Sequence, residues 1–273
     1  MRTEVAAGRW LVRGRHTVVI GNLEPRGAGR LWQAVWETGG GSALDGAAAL
    51  VASGLTGFEP TVTDVSVPKR NRSHRVTGVR RHRRTRMPPT GSAGLPRVDV
   101  APAAVSAAAW AASDRQAVLV LCLVLQQRMT TPDRLLAAWH RCPTRMERPR
   151  RQLLRAAVGD LCDGVRSLGE LDFAGLCREN GLPEPSRQVV RTLPGGRAYL
   201  DVEWEGIDLV VEVDGGHHAL ALAVVDDALR QNEVVLSDDR VLRIPVLGLR
   251  LEAERFMLQV VRAHRRWSRG GAA

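Results

Sequence analysis

Three carboxylates set at strand spacing inside a valine-rich stretch constrain this chain more than any other feature. Leu209-Val210-Val211-Glu212-Val213-Asp214 is β-branched and apolar, the composition of a strand, yet it carries Glu212 and Asp214. Side chains alternate along a strand, so Glu212 and Asp214 share one face, opposite Val211 and Val213. The preceding segment, Ala198–Trp204, carries Asp201. A two-residue turn at Gly206-Ile207 would pair residue 205 with 208, and hence Asp201 with Glu212. Two carboxylates directly opposite one another repel unless a cation or a shared proton joins them. Mg²⁺ or Mn²⁺ is the natural partner for such oxygen ligands, with Asp201, Glu212 and Asp214 as the candidate metal set. The competing reading is an edge hairpin whose acids face water. Val210, Val211 and Val213 weigh against it, because they predict burial of both faces.

The flanking sequence predicts an orderly unit. Ser167-Leu168-Gly169-Glu170 has the form of a capping box opening a helix that runs to about Asn180. Gln188–Leu193 reads as a strand, Pro194-Gly195-Gly196 as a turn, and the hairpin follows. Val224–Leu236 fits a helix with Val225, Ala228, Leu229, Val235 and Leu236 inward and Asn232 on the same stripe. Val241–Leu247 is a buried-type strand and Leu251–Trp267 a closing amphipathic helix. The order is α-β-β-β-α-β-α.

These residues in this order resemble the PD-(D/E)XK nuclease superfamily, and more narrowly its Vsr-like endonuclease domains of actinobacteria. The resemblance rests on Glu170, Asp201, Glu212-Val213-Asp214-Gly215, His217 and His218, Asp227-Ala228-Leu229-Arg230 and Val241-Leu242-Arg243, over about 100 residues. It implies a restriction-endonuclease-like αβββαβ domain that hydrolyses phosphodiester bonds with Mg²⁺ or Mn²⁺. The implied catalytic residues are Asp201, Glu212, Asp214, His218 and Glu170. The superfamily places a lysine two residues after the glutamate. Here that position is Asp214, and the one lysine of the chain is Lys69. Either Asp214 adds a ligand while His217 or His218 serves as base, since imidazole titrates near neutrality, or the domain is degenerate and binds without cutting.

The formal charge of +10 is concentrated. Residues 69–86 hold nine positive charges and no acid in 18 positions. Lys69, Arg70, Arg72, Arg75, Arg80, Arg81, Arg83 and Arg84, with Arg230 of the second half, are the candidate nucleic-acid contacts. Thr61–Val67 and Val76–His82 alternate like the strands of a hairpin, so a solvated basic hairpin is the alternative. Trp10–Ile20 reads as another hairpin. Leu31–Trp36 and Ala43–Ala52 read as short helices, and Ala101–Ala112, Asp114–Gln127, Pro132–His140 and Arg148–Asp163 as a helical layer.

The first half resembles the AbiEi-type antitoxins of type IV toxin–antitoxin systems, with residues 8–20 in the place of the wing of a winged helix-turn-helix. The helices that ordinarily precede that wing are not seen before it, so either the start lies upstream or the reader of bases has been lost. This resemblance implies DNA as a partner and a toxin as a second one. The reading as a whole is a mixed α/β chain in three parts. Residues 1–100 form the antitoxin-like region, 101–164 a helical connector and 165–268 the nuclease-like domain. The rival function is a non-catalytic regulator on a degenerate nuclease fold.

The longest apolar run, Ala117–Leu125, is far too short to span a bilayer. No signal peptide is apparent, and Cys122, Cys142, Cys162 and Cys177 show no Cys-x-x-Cys spacing. The expectation is a reduced, cytoplasmic protein with no membrane partner.

Overall fold

In the computed structural model the chain divides into two units, Met1–Met146 and Glu147–Ala273. The structure describes residues 1–21, 23–72, 74–91, 93–141, 146–162, 171–192, 198–214, 221–236 and 240–270. Both units mix helices with sheet, as a mixed α/β chain should. The stretch 101–164 is divided between them, with three of its described helices in the first unit and one in the second.

The first unit opens with a short helix α1 (Arg2–Ala6) and an antiparallel pair, β1 (Trp10–Val12) and β2 (Val18–Ile20), in the register Leu11↔Val19. Helix α2 (Ala28–Glu37) follows. The segment read as one helix over Ala43–Ala52 begins instead as a two-residue strand, β3 (Ala43–Leu44), before α3 (Gly46–Ala52). Asp45 is the reason: its side chain accepts the Gly46 N–H at 2.7 Å and marks the helix start.

Strands β4 (Thr63–Pro68) and β5 (Val79–Arg84) complete a sheet of order β3-β4-β5. The expected basic hairpin is not formed, because β4 and β5 run parallel, with Asp64 beside Arg80 and Ser66 beside His82. Residues 69–78 carry the chain back to the start of β4, where Thr63 N–H bonds the Gly78 carbonyl at 2.9 Å. Helices α4 (Val100–Trp110), α5 (Asp114–Gln126) and α6 (Pro132–Arg141) finish the unit. Ala103, Ala104, Ala108, Val118, Leu121 and Leu135 are buried there.

The second unit contains α7 (Arg148–Cys162), α8 (Phe173–Glu179), β6 (Arg187–Thr192), β7 (Ala198–Trp204), β8 (Leu209–Asp214), α9 (Ala221–Val235), β9 (Val241–Pro245), α10 (Val246–Leu251) and α11 (Ala253–Gly270). Helix α8 begins later than a capping box at Ser167 would set it. Its cap is Asp172, which accepts the Gly175 N–H at 2.7 Å. Ser167 and Glu170 lie outside the described residues, as does the turn at 194–196. Strand β9 stops at Pro245, and Val246–Leu251, read partly as strand, is helical.

The four strands are ordered β6-β7-β8-β9, antiparallel except for the closing parallel pair β8–β9. Along β8, Leu209, Val211 and Val213 are buried while Val210, Glu212 and Asp214 are half-buried. The expectation that both faces are buried is therefore corrected. One face meets Phe173, Val225, Leu229, Phe256, Met257 and Val260 from the helices, and the other carries the acids. The edge-hairpin alternative also fails, since β7 and β8 each have a strand on both sides.

Candidate functional sites

Asp201 and Glu212 are direct cross-strand partners, in the register Tyr199↔Asp214, Asp201↔Glu212 and Glu203↔Val210. The register agrees with the spacing, but the connection differs. Glu205–Ile207 form one turn of 3-10 helix, and Asp208 closes it at φ 51, a left-handed conformation that aspartate tolerates. Asp201, Glu212 and Asp214 thus share the half-open face of an interior strand pair.

The cation at this pair is a guanidinium. On β9, Arg243 stands beside Glu212, and its Nε donates to Glu212 Oε2 at 3.1 Å. Arg243 is 70% exposed and Glu212 31%, so the bridge is a surface contact that relieves like-charge repulsion and contributes little stability. The main chain of Arg243 is held far more firmly. Buried Asn232 of α9 accepts the Arg243 N–H at 3.0 Å and donates to the Arg243 carbonyl at 3.0 Å. Asn232 also donates to Gln259 of α11 at 3.1 Å, and Gln259 donates to the Leu229 carbonyl at 2.9 Å. The odd polar residue on the α9 stripe is thus a bracket between two helices and a strand.

Among the described residues, no group of three or more histidine, cysteine, aspartate or glutamate side chains is gathered as metal ligands. His217, His218 and Glu170 lie outside those residues. Arg230 forms an i,i+3 ion pair with Asp227 on the exposed side of α9. Trp204 is a packing residue whose indole N–H reaches the Pro183 carbonyl at 3.1 Å.

The basic stretch of the first unit is split by strand alternation. Arg80, His82 and Arg84 point to one side of β5 and meet acids that charge counting overlooks. Arg80 Nε and Nη2 donate to Asp64 at 2.7 and 3.1 Å, and His82 Nε2 lies 2.7 Å from Asp64 Oδ1. Arg84 donates to Asp45 at 3.0 Å, Ser66 at 3.0 Å and Ser106 at 2.9 Å, while Ser66 Oγ donates to Asp45 at 2.5 Å. Trp110 covers this network, stacked on His82 with ring centroids 3.3 Å apart and lying 5.0 Å from the Arg84 guanidinium. Burial pushes the Asp64 carboxyl up, but hydrogen bonds from His82 and Arg80 outweigh it, so its titration lies below the ordinary aspartate value.

A third buried carboxylate, Glu37, ends α2. It accepts the N–H groups of Arg15 and His16 at 2.9 and 2.8 Å and the Thr17 hydroxyl at 2.7 Å. His74 Nε2 stands 3.3 Å away. Sequence reasoning named neither Glu37 nor the Asp45–Asp64 pair. The nearest signal was the acid-free run between Asp64 and Asp99, which leaves Asp64 as the closest counter-charge to so many cations.

A scan of protein-family models finds no match, and searches of the curated proteins and of the solved structures find none. Among the described residues, no helix is long and apolar enough to cross a membrane.

Proposed function

We propose that the protein binds nucleic acid, with duplex DNA as the expected substrate. We further propose that its second unit is a nuclease-like domain hydrolysing phosphodiester bonds at Asp201, Glu212 and Asp214. The observation that carries this reading is the direct opposition of Asp201 and Glu212 on the open face of an interior strand pair. The β-β-β-α-β order, closed by a parallel strand, supports the likeness to PD-(D/E)XK nucleases. An all-oxygen donor set suits Mg²⁺ or Mn²⁺, which when bound supplies Lewis acidity toward a phosphoryl oxygen and an acidified water. Asp201 and Glu212 would hold the ion and Asp214 would orient the water. Arg243 would hold an anionic phosphate beside Glu212, and a guanidinium is a donor that does not take the proton of the water. That proton would go to a carboxylate or to His217 or His218.

One observation favours a second reading. Arg243 already neutralises Glu212 at 3.1 Å, as a counter-ion would in a domain that binds DNA without cutting it. An antitoxin-like regulator with a toxin partner would fit that arrangement. Incubation of supercoiled plasmid with the full chain and Mn²⁺ separates the two. Cleavage is expected, and Asp201→Asn or Glu212→Gln should each lower it by at least 100-fold, in line with the loss of charge stabilisation at a reacting phosphate. Plasmid nicking that persists undiminished in both variants removes these residues from the site. An absence of Mn²⁺ uptake in calorimetry, with DNA binding intact, selects the regulator.

A further inference from the structure

We infer that the phosphate-binding surface of the first unit is a preorganised subset of its basic stretch, formed by Lys69, Arg70, Arg72, Arg75, Arg83 and Arg86. Arg80, His82 and Arg84 are the internal fastening that aims it. This rests on the nucleic-acid reading above and names the residues and the ligand chemistry, a duplex phosphate backbone.

Two kinds of residue alternate along 69–86. The fastened ones are Asn71, His74, Arg80, His82 and Arg84. Asn71 Nδ2 donates to the Thr38 carbonyl at 2.8 Å, and His74 meets Glu37 at 3.3 Å. Arg80 and His82 hold Asp64, and Arg84 is held on Asp45 with only 14% of its side chain exposed. Between these anchors Arg70, Arg72 and Arg75 stand exposed, as do Lys69, Arg83 and Arg86. Among the described residues, none of these six forms an ion pair. No Asp or Glu falls between Asp64 and Asp99 to neutralise them.

Parallel pairing makes this arrangement possible. The connection has to leave one end of the sheet and return to the other, and it is pinned on the way by Asn71 at Thr38 and by His74 at Glu37. Cations on a pinned loop lose little conformational freedom on binding, and guanidinium forks match phosphate oxygens. Small or polar residues such as Asn71, Thr77 and Gly78 separate the cations, leaving no large apolar anchor of the kind a protein interface needs at its centre. A phosphate backbone therefore suits the surface better than an acidic protein.

The test measures binding of the full chain to a fluorescent 30-base-pair duplex over a range of salt concentrations, in EDTA so that no cutting occurs. Removing one cation from the phosphate backbone lowers the log–log salt slope by about 0.9. The variant Arg70→Gln/Arg72→Gln/Arg75→Gln should lose roughly 2 to 3 units of slope and at least tenfold in affinity, with its Tm unchanged. Arg80→Gln should keep the wild-type slope and lower the Tm. A triple variant with the wild-type slope overturns the assignment, as does an Arg80→Gln slope that falls as far as the triple variant's. Tighter binding of poly-glutamate than of duplex overturns the choice of ligand. Nicking in Mn²⁺ by a triple variant that keeps the wild-type salt slope overturns this inference and leaves the hydrolytic reading standing. Binding with no nicking overturns the hydrolytic reading alone.

Discussion

Glu37→Ala is expected to destabilise the first unit by about 3 kcal/mol, because this one buried carboxylate is the shared acceptor for a whole turn of chain. Glu37 is 1% exposed and accepts two backbone N–H groups and a hydroxyl from residues 15–17. Truncation leaves buried donors unsatisfied, at about 1–3 kcal/mol for each that water does not rescue. Gly14→Ala should act through the same contact from the other side. A Cβ at position 14 would lie 2.2 Å from the Glu37 carboxyl carbon, so the loop or the glutamate has to move. The check is thermal unfolding of both variants, with Glu37→Gln restoring only part of the loss, since its amide confronts donors where the carboxylate accepts. A Tm for Glu37→Ala within a degree of wild type would contradict this account. The same variant releases His74, so on the proposed nucleic-acid reading duplex affinity should fall with stability.

Acid should have a related effect. Burial pushes the Glu37 carboxyl up, but the Thr17 hydroxyl and the His16 and Arg15 amides outweigh it and hold it below the ordinary glutamate value. Asp64 is depressed in the same sense. A carboxylate titrating lower in the folded than in the unfolded state adds stability that is complete above the unfolded value. That contribution is lost as pH falls through the folded value. The contribution of these two carboxylates should therefore be complete down to about pH 5 and be lost below about pH 4, where unfolded carboxyls take up protons. Unfolding midpoints at pH 7, 5, 4 and 3 test this, and Glu37→Gln/Asp64→Asn should flatten the decline.

The second large effect is expected at Asn232. Asn232→Leu keeps the volume and the helix but strips both main-chain groups of Arg243 of their partner and the Gln259 side-chain oxygen of a donor. The expected loss is about 3 kcal/mol, or a Tm lower by roughly 10 °C for a unit of this size. Asn232→Asp should be nearly as harmful, since it can accept from the Arg243 N–H but turns an oxygen toward the carbonyl. Calorimetry of the full chain should show the transition of the second unit moving while that of the first stays in place. Equal shifts of both transitions would contradict a local bracket.

Strand periodicity made the hairpin of the second unit legible, because Leu209, Val211 and Val213 must face one way and Glu212 the other. The inward positions of Val225, Ala228 and Leu229 on α9, and of Leu236 just after it, were legible for the same reason, with a helical period. Direction was not. Alternation in Thr63–Pro68 and Val79–Arg84 is the same whether the strands run parallel or antiparallel, and the connection 69–78 is shorter than the roughly dozen residues a parallel crossover usually takes. The run Val246-Leu247-Gly248-Leu249 has no periodicity by which to choose between strand and helix. No motif in the sequence singles out Glu37, Asp45 and Asp64, because their partners are as many as 39 residues away. Charge counting then assigned Arg80 and Arg84 to a ligand that these acids already replace.

Asn232 has a consequence for solubility as well. The outer edge of β9 is the margin of the sheet, and an unoccupied margin invites a strand from another chain. By taking the amide and carbonyl of Arg243, an asparagine side chain imitates the next strand for the length of one residue and stops there. Foreign backbone would find the N–H and carbonyl at the middle of that margin already taken, which should disfavour pairing along this edge.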